Sequence, residues 1–253
     1  MMNFKQLHQQ QNPLLIGNVW DVASAKVAEE LNFQAIGTSS SAIAAMLGYE
    51  DGEAMTFEEL RYIVKRIAAS THLPLSVDLE AGYSREPAQI VQHIKALAKV
   101  GVVGVNLEDS LVDGNRTIVT AVAFAETIAI VKKQLAKEKV NMFLNIRTDT
   151  FLLGLPNPIK ATKARIQHYE KAGADGIFVP CIVEKTAIER IVQHTSLPIN
   201  VMSMPNLPNF GALKNIGVKR ISMGNFLFDD MHQFLGQQLS AIQQTQSFDS
   251  IFE

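Results

Sequence analysis

The chain has 253 residues, 47% of them apolar and 19% charged, with a formal net charge of −2. That balance excludes a disordered or low-complexity protein, and the lack of a basic block argues against a nucleic-acid or membrane-surface binder. One cysteine, Cys181, rules out an intrachain disulfide framework and a Cys-rich zinc site, and no apolar run approaches the ~20 residues of a membrane span.

The stretch from Met1 to Pro13 is polar and Gln-rich. It lacks the apolar core of a signal peptide and reads as a lead-in, so a cytoplasmic protein is expected. A two-part unit then recurs: a short apolar, β-branched run, followed by a longer stretch at helical period. Leu14–Val19 precedes Asp21–Leu31, which opens on an acidic cap candidate. Ala35–Thr38 runs into the hydroxyl cluster Thr38-Ser39-Ser40-Ser41. Thr56–Thr71 carries Glu58 and Glu59 in its first turn, where the helix dipole favours them. Leu75–Leu79 precedes Pro87–Val100, with Pro at a helix start and Gly101 past its end. Val102–Leu107 precedes Ala121–Lys137, and Met142–Ile146 precedes Pro158–Ala172, closed by Gly173. Gly176–Val179, Ile199–Met202 and Lys219–Ser222 lead into Glu184–His194, Pro208–Ile216 and Phe226–Gln243.

Eight β-then-α units in about 250 residues is the count and size of an α/β protein of the (β/α)8 TIM-barrel type. A doubly wound open sheet is the alternative. It wants fewer strands and a Gly-rich first turn, which Gly17-Asn18-Val19 is not. The expectation is therefore one barrel domain over residues 1–253, with 1–13 as lead-in and 226–245 as a final helix, docked or swapped.

In such a barrel, chemistry sits at the C-terminal ends of the strands. Acidic residues crowd there on the third and fourth strands, as Asp78-Leu79-Glu80 and Glu108-Asp109, with Arg147 next door on the fifth. Asp78 and Glu80 are two apart, which on a regular strand places both on one face. Converging carboxylates repel unless a cation lies between them. Hard oxygen ligands without His or Cys suggest Mg²⁺ or Mn²⁺. Arg147 suits a forked contact to a carboxylate or phosphonate. The hydroxyl run at 38–41, beside a helix start, suits an anion.

For any single residue a plain solvated loop charge, or a pair such as Asp149 with Arg147, is an equal reading. Four carboxylates and an arginine on three successive strands favour an Mg²⁺-dependent enzyme acting on a small anion. Trp20 reads equally as a pocket wall or as filling of the barrel mouth, and Asn200 as a substrate contact or a hydrogen bond within the strand layer. A Schiff-base aldolase needs a lysine inside the barrel, and the sixth strand has none. No pair of histidines stands at His-x-x-x-His spacing for zinc.

The strand-end phrases resemble those of the phosphoenolpyruvate mutase / isocitrate lyase superfamily. They are Gly17-Asn18-Val19-Trp20-Asp21-Val22-Ala23-Ser24-Ala25, Ala35-Ile36-Gly37-Thr38-Ser39-Ser40-Ser41, Leu47-Gly48-Tyr49-Glu50-Asp51, Val77-Asp78-Leu79-Glu80-Ala81-Gly82-Tyr83, Gly104-Val105-Asn106-Leu107-Glu108-Asp109-Ser110, Asn145-Ile146-Arg147-Thr148-Asp149 and Gly173-Ala174-Asp175-Gly176-Ile177-Phe178. They run in family order through most of the chain. The resemblance implies that Asp78 ligates Mg²⁺ directly, with Glu80 and Glu108 assisting directly or through water. It implies that Thr38, Ser39 and Ser40 hold the substrate carboxylate, that Asp51 faces the reacting centre, and that Arg147 binds the anionic end. Family substrates are 2-oxo or 2-hydroxy acids whose C–C or P–C bond is made or broken beside an enolate. Family members form dimers or tetramers, commonly swapping the last barrel helix, here Phe226–Gln243.

The departures narrow this. The lyase branch carries Lys-Cys-Gly-His on a loop after the fourth strand. The corresponding stretch here, Ser110-Leu111-Val112-Asp113-Gly114-Asn115-Arg116-Thr117, has neither Cys nor His. That points away from isocitrate and methylisocitrate cleavage, and Cys181 reads as packing. The expected activity is cleavage of a small 2-oxo acid, in the manner of an oxaloacetate decarboxylase or a phosphonopyruvate hydrolase. The alternatives are the phosphoenolpyruvate/phosphonopyruvate mutase reaction and a non-catalytic oxo-acid-binding barrel.

Overall fold

The structure, a computed structural model, describes residues 2–252; Met1 and Glu253, the outer ends of the expected domain, lie outside the described residues. The N-terminal stretch is built into the fold rather than trailing from it. α1 (Phe4–Leu7) is capped by Asn3, whose side chain accepts from the Gln6 amide. Phe4 and Leu7 bury against Leu14, Ile16, Ala35 and Phe143, at the starts of three strands. Phe4 passes so close to Gly104 that a Cβ there would lie 2.6 Å from its ring. The segment thus plugs the end of the barrel opposite the strand-end residues named above.

β1 (Leu14–Val19) leads to α2 (Val22–Glu30), whose Asp21 cap accepts from the Ser24 amide. β2 (Ala35–Thr38) runs straight into α3 (Ser40–Leu47), a helix missing from the expected strand-and-helix units although a helix start is expected beside the hydroxyl run. Ser39 caps it, and Gly48 stops it at φ 82°, a left-handed conformation that glycine adopts without strain. α4 (Phe57–Ala68) starts on a Thr56/Glu59 capping box. β3 (Leu75–Asp78), α5 (Pro87–Ala98) and β4 (Val102–Glu108) follow. An antiparallel hairpin, β5 (Ser110–Asp113) with β6 (Asn115–Ile118), precedes α6 (Ala121–Lys137). Then come β7 (Phe143–Arg147), α7 (Pro158–Ala172), β8 (Gly176–Phe178), α8 (Lys185–Val192) and β9 (Ile199–Met202). α9 (Phe210–Ile216), β10 (Arg220–Ser222), α10 (Phe226–Thr245) and α11 (Asp249–Phe252) complete the chain. α9 starts two residues after Pro208 because Asn209 caps it, accepting from the Ala212 amide.

Eight parallel strands close in the order β1-β2-β3-β4-β7-β8-β9-β10, with β10 pairing back onto β1. The fold is a (β/α)8 barrel. Apolar faces of the helices pack on the outside of the strands, in one continuous core. The barrel interior departs from the usual branched apolar filling. Its middle layer is polar and hydrogen-bonded: Asn145 Nδ2 donates to Asn106 Oδ1 at 2.8 Å and to Asn200 Oδ1 at 3.1 Å, and Asn200 Nδ2 donates to Ser222 Oγ at 3.2 Å.

α10 is poorly covered for a helix of 20 residues. Phe228 is its one buried residue, while Phe226, Leu227, Met231, Phe234, Leu235 and Leu239 are exposed. Among the described residues, no helix is long and apolar enough to cross a membrane.

Candidate active site

A cavity of about 230 Å³ opens at the C-terminal ends of the strands. Of the expected site residues, Thr38, Ser39, Ser40, Asp51, Asp78 and Arg147 line it. Thr38 ends β2, and Ser39 caps α3, its side chain accepting from the Ala42 amide at 3.3 Å. The Ser40 and Ser41 amides therefore open a helix, where no intrahelical acceptor reaches them and the helix dipole favours an anion.

The same segment positions Asp78. The Asp78 amide donates to Thr38 Oγ1 at 2.9 Å, and Ser40 Oγ donates to Asp78 Oδ2 at 2.8 Å. Asn106 Nδ2 donates to Asp78 Oδ1 at 3.4 Å. The hydroxyls read as substrate contacts thus hold a carboxylate here, and the helix-opening amides carry the anion-binding capacity.

Glu80 reaches the cluster by a route other than the expected one. β3 ends at Asp78, and Glu80 stands in left-handed backbone at φ 52°, so the two do not share the face of one regular strand. The Glu80 carbonyl accepts from the Glu108 amide at 2.9 Å, which ties the turn to β4. The Glu80 side chain is buried, and its Oε2 has no protein partner among the described residues. Burial, then the neighbouring Glu108, Asp78 and Asp51, push its carboxyl well above the usual range.

Glu108 is buried at the end of β4, and burial lifts its carboxyl to about 7, against the opposing pull of Arg147. Arg147 Nη1 lies 2.8 Å from Glu108 Oε2. Arg147 also pairs with Asp149, Nε to Oδ1 at 2.6 Å and Nη2 to Oδ2 at 3.1 Å. A second arginine, not among the expected site residues, completes this side. Arg116 on β6 pairs with Glu108, donates to Ser110 Oγ at 2.9 Å, and reaches Asp51 Oδ2 at 3.2 Å. Asp51 is half-exposed at the rim. Burial of its inner side, and then Asp78, raise its carboxyl. Gly52 packs on the hairpin at φ 104°, where a Cβ would fall 2.5 Å from Val112. Glycine there lets the Asp51 loop close against Arg116.

A buried network anchors these groups from outside the barrel. The Asp149 amide donates to Asp109 Oδ1 at 3.0 Å. Asp109 Oδ2 accepts from Arg165 Nη1 at 2.9 Å and from the Tyr169 hydroxyl at 2.7 Å, both on α7.

Two expected contacts lie elsewhere. Trp20 packs edge-on against Phe228 at 5.2 Å between ring centroids and lines a separate apolar groove with Leu227 and Met231. It fills the barrel mouth beside α10 rather than walling the cavity. Asn200 is buried one layer below the strand ends, and its amide is spent on Asn145, Ser222 and the backbone. Cys181 is half-buried, and burial pushes its thiol up, which suits packing rather than nucleophilic attack. Sequence reasoning also missed Arg220, which enters from β10 and lines the cavity.

The donor set fits a hard divalent cation. Asp78, Glu80 and Glu108 offer only oxygen, the carboxyls of Glu80 and Glu108 are raised by burial and crowding, and one Glu80 oxygen is buried without a partner. Among the described residues, no three acidic side chains stand at metal-ligand spacing, because Glu108 is turned into its pairs with Arg147 and Arg116.

The family model described as phosphoenolpyruvate phosphomutase matches residues 4–243. An uncharacterized protein of Mycobacterium tuberculosis (strain ATCC 25618 / H37Rv) is 34% identical over 224 residues, covering 88% of this chain and 82% of the relative. Oxaloacetate decarboxylase 1 of Pseudomonas fluorescens (strain Pf0-1) is 27% identical over 224 residues, covering 86% and 75%. A crystal structure of a provisionally named phosphonomutase from Burkholderia cenocepacia J2315 superposes with a TM-score of 0.88 at 33% identity, covering 94% of this chain and 97% of that one.

Proposed function

Because this chain belongs to the phosphoenolpyruvate phosphomutase family, within a superfamily of mutases and lyases, we propose that it cleaves a C–C or P–C bond of a small 2-oxo acid with the help of Mg²⁺. The observation that carries this reading is one small cavity at the strand ends lined by Asp78 and Asp51 together with Arg116 and Arg147, with Glu80 and Glu108 buried behind that lining. Such a site neutralises a charged substrate while keeping charge on both sides of the reacting bond.

Asp78 is the direct metal ligand in this reading, with Glu80 and Glu108 supporting. When bound, the cation supplies positive charge where negative charge develops on the substrate oxygen. The α3 amides and the Thr38, Ser39 and Ser40 segment hold the substrate carboxylate. Asp51 faces the reacting centre at the rim, and its raised carboxyl suits it to take or return a proton. Arg147 and Arg116 balance the carboxylates and orient the anionic end. The hairpin stands where the lyase branch carries its Cys-containing loop, which favours an oxaloacetate- or phosphonopyruvate-type substrate over isocitrate.

One observation favours a mutase as the second reading. The β5–β6 hairpin carries Arg116 across the cavity, and a mutase needs a covered site from which water is kept away from the reactive intermediate.

A pyruvate-release assay on oxaloacetate, phosphonopyruvate and 2-methylisocitrate, with glyoxylate release for isocitrate, tests the reading with Mg²⁺ and with EDTA. EDTA-sensitive release from oxaloacetate or phosphonopyruvate supports it. Release from isocitrate alone overturns the substrate assignment. Interconversion of phosphonopyruvate and phosphoenolpyruvate without release selects the mutase. Tight binding with no turnover of any of them leaves a binding-only barrel.

A further inference from the structure

Three guanidinium groups line the cavity, and they differ in what they hold. Arg147 is paired with Glu108 and Asp149, and Arg116 with Glu108, Asp51 and Ser110. Arg220 is different. It is fully buried, and among the described residues it forms no ion pair. Its Nε and Nη1 donate to no protein atom, and Nη2 makes only long contacts, 3.4 Å to Ser76 Oγ and 3.5 Å to Asn106 Oδ1. Burial draws the guanidinium down to about 10, and Asp78 is the one carboxylate whose charge opposes that pull. A buried cation left this short of partners is costly, and an arriving anion offsets that cost.

The register shows where such an anion would lie. Asn106 on β4 pairs opposite Asp78, and Ser76 stands two residues before Asp78 on β3, one inward-facing layer deeper. Gly37, Ser76, Asn106 and Arg220 all line the cavity, so it continues below the acidic layer. Gly37 keeps that space open: a Cβ there would lie 4.0 Å from Arg220 Nη2 and 2.8 Å from Ile16.

We propose that Arg220 forms a further anion subsite at the cavity floor, beyond those at the opening of α3 and at Arg147, and that an acidic group of the substrate reaches down to it. The inference rests on the oxo-acid reading above and adds a residue of β10 to those that recognise the substrate.

Calorimetric binding of oxalate, pyruvate and inorganic phosphate to the full chain in Mg²⁺ tests this, with Arg220→Met and Arg220→Lys beside the wild type. Arg220→Met keeps the volume and removes a buried charge, a change that proteins often tolerate; unchanged melting temperatures confirm the fold. The expected result is a loss of about 10–100-fold in oxalate affinity in Arg220→Met, the worth of a hydrogen bond to a charged group. Arg220→Lys should recover part of it, and pyruvate should lose less than oxalate. Equal oxalate and phosphate affinities in wild type and Arg220→Met overturn the subsite and leave the oxo-acid reading standing. Arg220-dependent phosphate binding with no affinity for either carboxylate keeps the subsite and overturns the oxo-acid reading. A wild-type protein that binds none of the three overturns both.

Discussion

Arg147 stands 2.8 Å from Glu108 because β4 and β7 are neighbours in register, with Glu108 opposite Arg147 at the last rung of the pair. The pairing joins residues 39 positions apart in sequence. Glu108 is thereby held between Arg147 and Arg116.

The buried Glu108 should make stability fall as pH rises. Its folded carboxyl sits near 7, above its ordinary 4.5, so between those values the folded state holds the proton more tightly than the unfolded chain does. Stability from this group is full below the ordinary value and is lost as pH climbs through about 7. Melting temperature measured in EDTA from pH 4 to 8 should show that decline in the wild type and a flatter profile in Glu108→Gln. Identical profiles would remove Glu108 as the source.

Asp78→Ala should abolish most turnover with little loss of fold. Groups that merely orient a metal ligand are worth about 10–100-fold in affinity or activity, so removal of the ligand itself should cost more than about 100-fold. Steady-state kinetics over a range of Mg²⁺, beside a thermal melt, checks this. A variant at wild-type rate would take the metal role from Asp78.

The network on α7 should matter to both stability and rate. Asp109→Ala leaves Arg165 and Tyr169 without their buried partner and should destabilise by about 3–5 kcal/mol. Tyr169→Phe removes two hydrogen bonds, one donated to Asp109 and one accepted from Arg165, and should cost about 1–3 kcal/mol. Urea titration gives the stability, and kcat reports whether loosening Asp149 moves Arg147.

The bare face of α10 should find a second copy of the chain. Phe234 is 60% exposed, Leu235 51% and Leu239 58%, on a helix with one buried residue. An apolar strip of this kind marks an interface. Light scattering after gel filtration should give a dimer or tetramer, and Leu235→Glu with Phe234→Glu should shift it toward monomer. A wild-type monomer at micromolar concentration would assign this face another role.

Much of this architecture was written locally. The runs Leu14–Val19, Ala35–Thr38 and Ile199–Met202 are strands with the expected bounds, and the caps at Asp21 and Thr56 lie where side-chain chemistry puts them. The acidic clustering at adjacent strand ends was legible for the same reason, since chain order sets strand order around most of a barrel. The hairpin had one local signal, Asp113-Gly114 between two β-prone pairs. α3 had none beyond its Ser39 cap, because its small and apolar residues fit a buried loop as well as a helix.

The sequence by itself determined the alternation of strand and helix, the family, and which residues gather at the strand ends, because periodicity and capping act over a few residues. Only the tertiary structure decided what those residues touch. Closing β10 onto β1 brings Arg220 beneath Asp78, and the turn after β3 folds Glu80 inward. The lead-in fills the opposite end, and α10 draws Trp20 out of the cavity. Those outcomes depend on depth and angle around a closed sheet, and side-chain parity along one strand carries no information about either.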